Sequence, residues 1–70
     1  MPLTMVKEGE ANVIRKVGGG EETRRFLEGL GFVSGGQVTV ISTAGGNLIV
    51  NVREARVAIG KDMAREIWVR

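Results

Sequence analysis

Seventy residues with a formal net charge of +2 and no histidine, cysteine or tyrosine make one domain, residues 1–70, near the lower size limit for a self-supporting core. No disulfide or thiolate metal site can staple it. The missing residue types also remove most catalytic bases, thiol nucleophiles and soft metal ligands, so neither an enzyme nor a resident cofactor is expected.

Leu3 to Val6 is a short apolar lead-in. Ala11 to Val17 predicts a first strand, with Val13 and Val17 on one face and Asn12 and Lys16 on the other. Arg15 interrupts the inward face, which calls for a bulge or an edge position. After Gly18-Gly19-Gly20, the stretch Glu21 to Leu30 predicts the one clear helix. Glu21 and Glu22 suit its N-terminus, where the macrodipole favours negative charge. Glu21 with Arg25, and Arg24 with Glu28, are spaced as i,i+4 pairs worth a few tenths of a kcal/mol each. Phe26, Leu27 and Leu30 make its apolar face, and Gly31 falls where a left-handed residue ends a helix.

Gln37 to Thr43 predicts a strand with Val38 and Val40 on one side, and Ala44-Gly45-Gly46 a hairpin turn. Asn47 to Arg53 alternates cleanly, with Leu48, Val50 and Val52 on one face. Glu54-Ala55 predicts a second tight turn, followed by a strand from Arg56 to Gly60 with Val57 and Ile59 inward. Lys61 to Ala64 predicts a single helical turn, and Glu66 to Arg70 closes the chain with Ile67 and Val69 on the core side. The pattern is mostly β with one short α-helix: five short strands suited to a small closed or half-closed barrel.

The eight carboxylates show no EF-hand pattern or divalent-metal spacing. Gly18-Gly19-Gly20 precedes a helix, but Glu21 and Glu22 follow at once and would repel phosphate. No apolar run approaches the ~20 residues of a membrane-spanning helix, and Met1 to Gly9 lacks the pattern of a cleaved leader. A cytoplasmic protein is expected, with no direct membrane insertion and any membrane association made through a partner.

The run from Arg24 to Ile41 joins a helix stopped at Leu30-Gly31, the apolar Phe32, a turn through Gly35-Gly36 and a Val-rich strand. That order resembles the signature of the ferrous iron transport protein A family, FeoA. Pro2-Leu3-Thr4 with Gly9-Glu10-Ala11-Asn12-Val13 is similar to the family's opening. Arg56 to Ala64 is similar to its fourth strand and short helical turn, and Ile67-Trp68-Val69 to its last strand. Here the turn after the helix reads Ser34-Gly35 in place of Pro-Gly, and the hairpin Gly46-Asn47-Leu48 in place of Gly-Asp-Pro.

The resemblance implies a five-stranded SH3-like β-barrel and a non-enzymatic accessory role in bacterial ferrous iron uptake. The implied partner is FeoB, a permease with a cytoplasmic GTPase domain, whose transport the protein would support or regulate. The candidate contact residues are Arg24 and Arg25 on the exposed helix face, Phe32 after the helix, and Trp68 in the last strand. Phe32 either fills the core or joins the contact. Trp68 either faces outward or caps the barrel end. An edge strand would allow weak self-association. Two rivals stand beside this reading. One is a nucleic-acid module of the KOW type, which Gly35 to Ile41 loosely resembles but which lacks lysine and aromatics there; nucleic acid is not expected. The other is a regulatory domain like that of iron-dependent repressors, against which a start at its own methionine argues.

Overall fold

The computed structural model describes all residues, 1–70. A short 3-10 turn at Leu3–Met5 precedes β1 (Ala11–Val17), α1 (Glu21–Leu30), β2 (Gln37–Ala44), β3 (Asn47–Val52), β4 (Ala55–Gly60), α2 (Lys61–Ala64) and β5 (Ile67–Val69). The five strands form one antiparallel sheet in the order β4-β3-β2-β1-β5.

The expected barrel does not close. β4 and β5, at the two ends of the sheet, do not pair with each other. The reason is local. α2 separates them, and the three residues of β5 use their outer edge on the N-terminal segment. Val69 N–H donates to the Met1 carbonyl (2.8 Å), the Met1 ammonium donates to the Val69 carbonyl (2.9 Å), and Pro2 bridges Trp68.

β1 serves two neighbours in succession. Ala11 to Val13 pair with β2, and Ile14 to Val17 pair with β5. The bulge that Arg15 predicted is present between Ile14 and Lys16. The strand's phase is corrected, however: Ile14 is the buried residue, while Val13 is exposed. Ser34 Oγ donates to the Arg15 carbonyl at 2.9 Å, giving the bulged residue the partner its ladder does not supply.

Helix α1 has the bounds that its charges and Gly31 predicted. Gly31 sits at φ 112°, its N–H donates to the Glu28 carbonyl, and Phe32 N–H donates to the Leu27 carbonyl, both at 3.0 Å. These are the two hydrogen bonds of a Schellman stop, and the side chains at its two ends, Leu27 and Phe32, are both fully buried in the same core. Phe26 is corrected: it is 52% exposed. The inward stripe runs Thr23, Leu27, Leu30, spaced four and then three, and Phe26 lies on its flank.

The buried face is apolar throughout. Val38 and Val40 of β2, Leu48, Val50 and Val52 of β3, Ile59 of β4, and Ile67 and Val69 of β5 all point inward as their alternation predicted. Leu3, Ile14, Leu27, Phe32 and Ala64 complete the core, and no polar or charged side chain is buried.

Two hairpins set the register. Gly45 and Gly46, both at positive φ, join β2 to β3. The second turn is Arg53-Glu54 rather than the expected Glu54-Ala55, because Val52 pairs with Ala55. Arg53 and Glu54 adopt φ of 51° and 62°, a conformation two-residue hairpins require and side chains resist.

Two stability measurements check these assignments. Gly31→Val should destabilise the fold by about 1–2 kcal/mol in denaturant titration, chiefly through the left-handed backbone. Replacing Arg53-Glu54 by Asn-Gly should instead stabilise it by about 1 kcal/mol, because those residues tolerate the turn; an unchanged or lowered midpoint would mean that Arg53 contributes more by packing over Gly31 than its backbone costs.

Candidate interaction surface

The four side chains singled out from the sequence separate in space. Arg24 and Arg25 lie exposed on α1. Arg25 donates to the Glu21 carboxylate at 2.9 Å across one helical turn, but the Arg24–Glu28 pair does not form. Arg24 is left as a free cation. Both ends of the Arg25–Glu21 pair are largely in solvent, so it adds little to stability.

Phe32 is withdrawn from the contact surface. It is 0% exposed and packs in the core, because the helix stop at Gly31 turns it back onto Leu27. Of its two alternatives, core filling is the one realised.

Trp68 faces outward. It lies between the buried Ile67 and Val69 and is 37% exposed. β5 sets this phase, since three residues in an extended strand must alternate. Lys16 stands opposite Trp68 in the β1–β5 register, with Nζ 5.8 Å from the ring centroid, within range of a cation–π attraction. The Arg15 bulge matters here. With Ile14 buried, regular alternation would send Lys16 inward; the extra residue leaves Arg15 and Lys16 both exposed, side by side. A cleft of about 300 Å³ opens there, lined by Met1, Arg15, Lys16 and Trp68.

A second, more polar cleft of about 330 Å³ lies between the end of α1 and the β3–β4 hairpin, where Gln37, Thr39, Asn51, Arg53 and Glu54 meet. Nothing in the sequence marked this group, whose members come from two strands and a turn. Lys16 was legible only as a polar-face residue; its stacking on Trp68 needed the β1–β5 register. No three His, Cys, Asp or Glu side chains are grouped to hold a metal ion, and no helix is long and apolar enough to cross a membrane. What the molecule presents is exposed cations, one half-exposed indole and shallow clefts.

Known proteins share this fold. A protein of Methanocaldococcus jannaschii described as a candidate Fe(2+) transport protein A is 31% identical over 68 residues, covering 97% of this chain and 83% of its own. A crystal structure of the iron uptake regulatory protein FeoA is 28% identical, with a TM-score of 0.91 over 100% of this chain and 95% of that one. The zinc-complexed FeoA of Stenotrophomonas maltophilia is 26% identical, with a TM-score of 0.88 over 100% of this chain and 89% of that one. It is described as a prokaryotic SH3 domain protein and a candidate activating factor for bacterial ferrous iron transport. A manganese-dependent transcriptional repressor also contains the fold, with a TM-score of 0.90 but 19% identity over 35% of its length, a likeness of fold alone. The FeoA domain matches residues 1–70 in full. With that match and the Methanocaldococcus relative, the chain belongs to the FeoA family of iron-transport accessory proteins.

Proposed function

We propose that this protein is a non-enzymatic, cytoplasmic accessory of ferrous iron uptake that docks on the cytoplasmic GTPase-bearing part of the permease FeoB and influences its assembly or nucleotide cycle. The observation that carries the reading is the FeoA domain spanning every residue of the chain. The distribution of side chains supports it: the interior is wholly apolar, and the groups able to recognise anything lie on the outside. Binding a macromolecule is work for such a surface, with Trp68 as an aromatic anchor and Arg24 and Arg25 as charges that meet acidic groups. The KOW-type rival gains no support from β2, whose sequence Gln37–Ala44 contains no lysine, arginine or aromatic residue. The repressor-like rival rests on shared fold, which does not carry function.

Isothermal calorimetry of the full chain against the isolated GTPase region, and pull-down with the intact permease in detergent, check this directly. Saturable, stoichiometric binding to at least one of them is expected. Absence of binding to both overturns the proposal.

A further inference from the structure

The chain's small positive charge is concentrated at one place. Around the outer face of the β1–β5 ribbon and the N-terminal segment beside it stand Lys7, Arg15, Lys16 and Arg70, with Glu10 as the one acidic side chain lining the same clefts. The remaining residues carry six Lys or Arg against seven Asp or Glu. The terminal ammonium and carboxylate fall at this end too and offset each other. None of the four cations is neutralised by an ion pair: the molecule's two pairs are Arg25–Glu21 and Arg65–Asp62, elsewhere on the surface. Trp68 sits among them, and Met1, itself 53% exposed, forms a wall shared by two clefts. One, of about 300 Å³, runs to Trp68, Arg15 and Lys16. The other, of about 310 Å³, runs to Lys7 and Arg70.

We propose that this face receives an acidic segment of a partner protein. An apolar side chain of that segment rests against Trp68 and Met1, and carboxylates on either side meet Arg15 and Lys16 in one cleft and Lys7 and Arg70 in the other. The proposal rests on the docking role set out above and says where the docking occurs and with what chemistry. Charge complementarity is the first ground: unpaired cations flanking a half-buried aromatic favour an anionic partner with an apolar anchor. The closed backbone edge is the second. Met1 already takes both backbone groups of Val69, and Pro2, which lacks an N–H, bridges Trp68, so the partner cannot add as a strand to β5. Recognition there falls to side chains.

The geometry favours a polypeptide over the other anionic surfaces. At 37% exposure, with Lys16 beside its ring, Trp68 is the wall of a cleft and not a wedge able to enter a lipid interface. Single-stranded nucleic acid is held on successive aromatic platforms, and this face has one aromatic ring.

The test is calorimetric titration of the full chain with the isolated GTPase region of the permease, comparing wild type, Lys16→Glu with Arg70→Glu, and Arg56→Glu with Lys61→Glu. The last pair makes the same charge change at exposed positions outside both clefts. All substituted side chains are exposed, and circular dichroism melting confirms that the variants are folded. The first variant should weaken binding by about tenfold or more and the second by less than about threefold. In the same complex the single Trp68 indole N–H resonance of the 15N-labelled chain should shift on saturation. If wild type binds and both variants bind equally well, the docking role stands and this surface is wrong. If wild type binds neither this region nor the intact permease in detergent, the docking role fails and the surface assignment with it; if it binds the permease alone, the same variants are compared there by pull-down, with the same outcomes. Two control titrations complete the test. Salt-sensitive binding to phosphatidylglycerol vesicles, or to single-stranded RNA, that is lost in Lys16→Glu with Arg70→Glu while GTPase-region binding is unaffected would reassign the face and overturn the proposal.

Discussion

The helix stop that brings Leu27 and Phe32 into one core at the end of α1 is what the rest of the fold depends on. An open five-stranded sheet leaves one apolar face in need of a cover, and a ten-residue helix is too short to persist in water without packing. Leu27 is the one fully buried side chain that α1 itself supplies. The Schellman bond from Phe32 N–H to the Leu27 carbonyl folds the chain back so that Phe32 adds the largest fully buried side chain to the same site. Gly31 makes that reversal available because its φ of 112° is one that side chains avoid. One backbone angle thus turns an amphipathic decamer into a lid. It also explains why an aromatic in a loop belongs to the interior here and not to the surface.

At the other end of the sheet the problem is the exposed edge. β5 is short, its backbone is tied to Met1, and Pro2 lies beside Trp68, so this edge offers no template for another strand. β4, at the opposite end, has no strand beyond it and remains the sheet's unpaired edge. The bulge in β1 has a separate consequence. By inserting one residue opposite β5, it places Arg15 and Lys16 on the same side of the ribbon and sets Lys16 against the indole. An irregularity in the ladder therefore generates the charge density of the surface, at a point where Ser34 satisfies the displaced carbonyl.

These particulars show what could be read from the sequence. The bounds of α1 were legible because capping chemistry is local: acids at the first turn, glycine past the last. The inward residues of β2, β3 and β5 were legible because each strand alternates without interruption over its inward positions or is too short to drift. β1 was misphased because a bulge breaks the period of two on which the reading depends, so Val13 and Ile14 exchanged faces. The Arg53-Glu54 turn was displaced by one residue because neither side chain signals positive φ; register with β4 imposes it. Barrel closure and the grouping of Trp68 with Lys16, Met1 and Arg15 are properties of pairings distant in sequence, which no local pattern encodes.

The same distance separates fold from function. A transcriptional repressor carries this fold at 19% identity, and its core must meet the same demands of alternation, capping and edge protection. What a shared scaffold leaves free to differ is the outward half of each strand. In this chain the outward positions of β1 and β5, with the segment that covers them, gather cations that the rest of the surface does not match. Because the backbone there is held by the Met1–Val69 hydrogen bonds, a partner of the kind proposed would meet the charges without first having to order the chain that bears them. Low ordering cost, combined with long-range attraction at an otherwise nearly neutral protein, suits an accessory that must find one surface among many and orient on arrival.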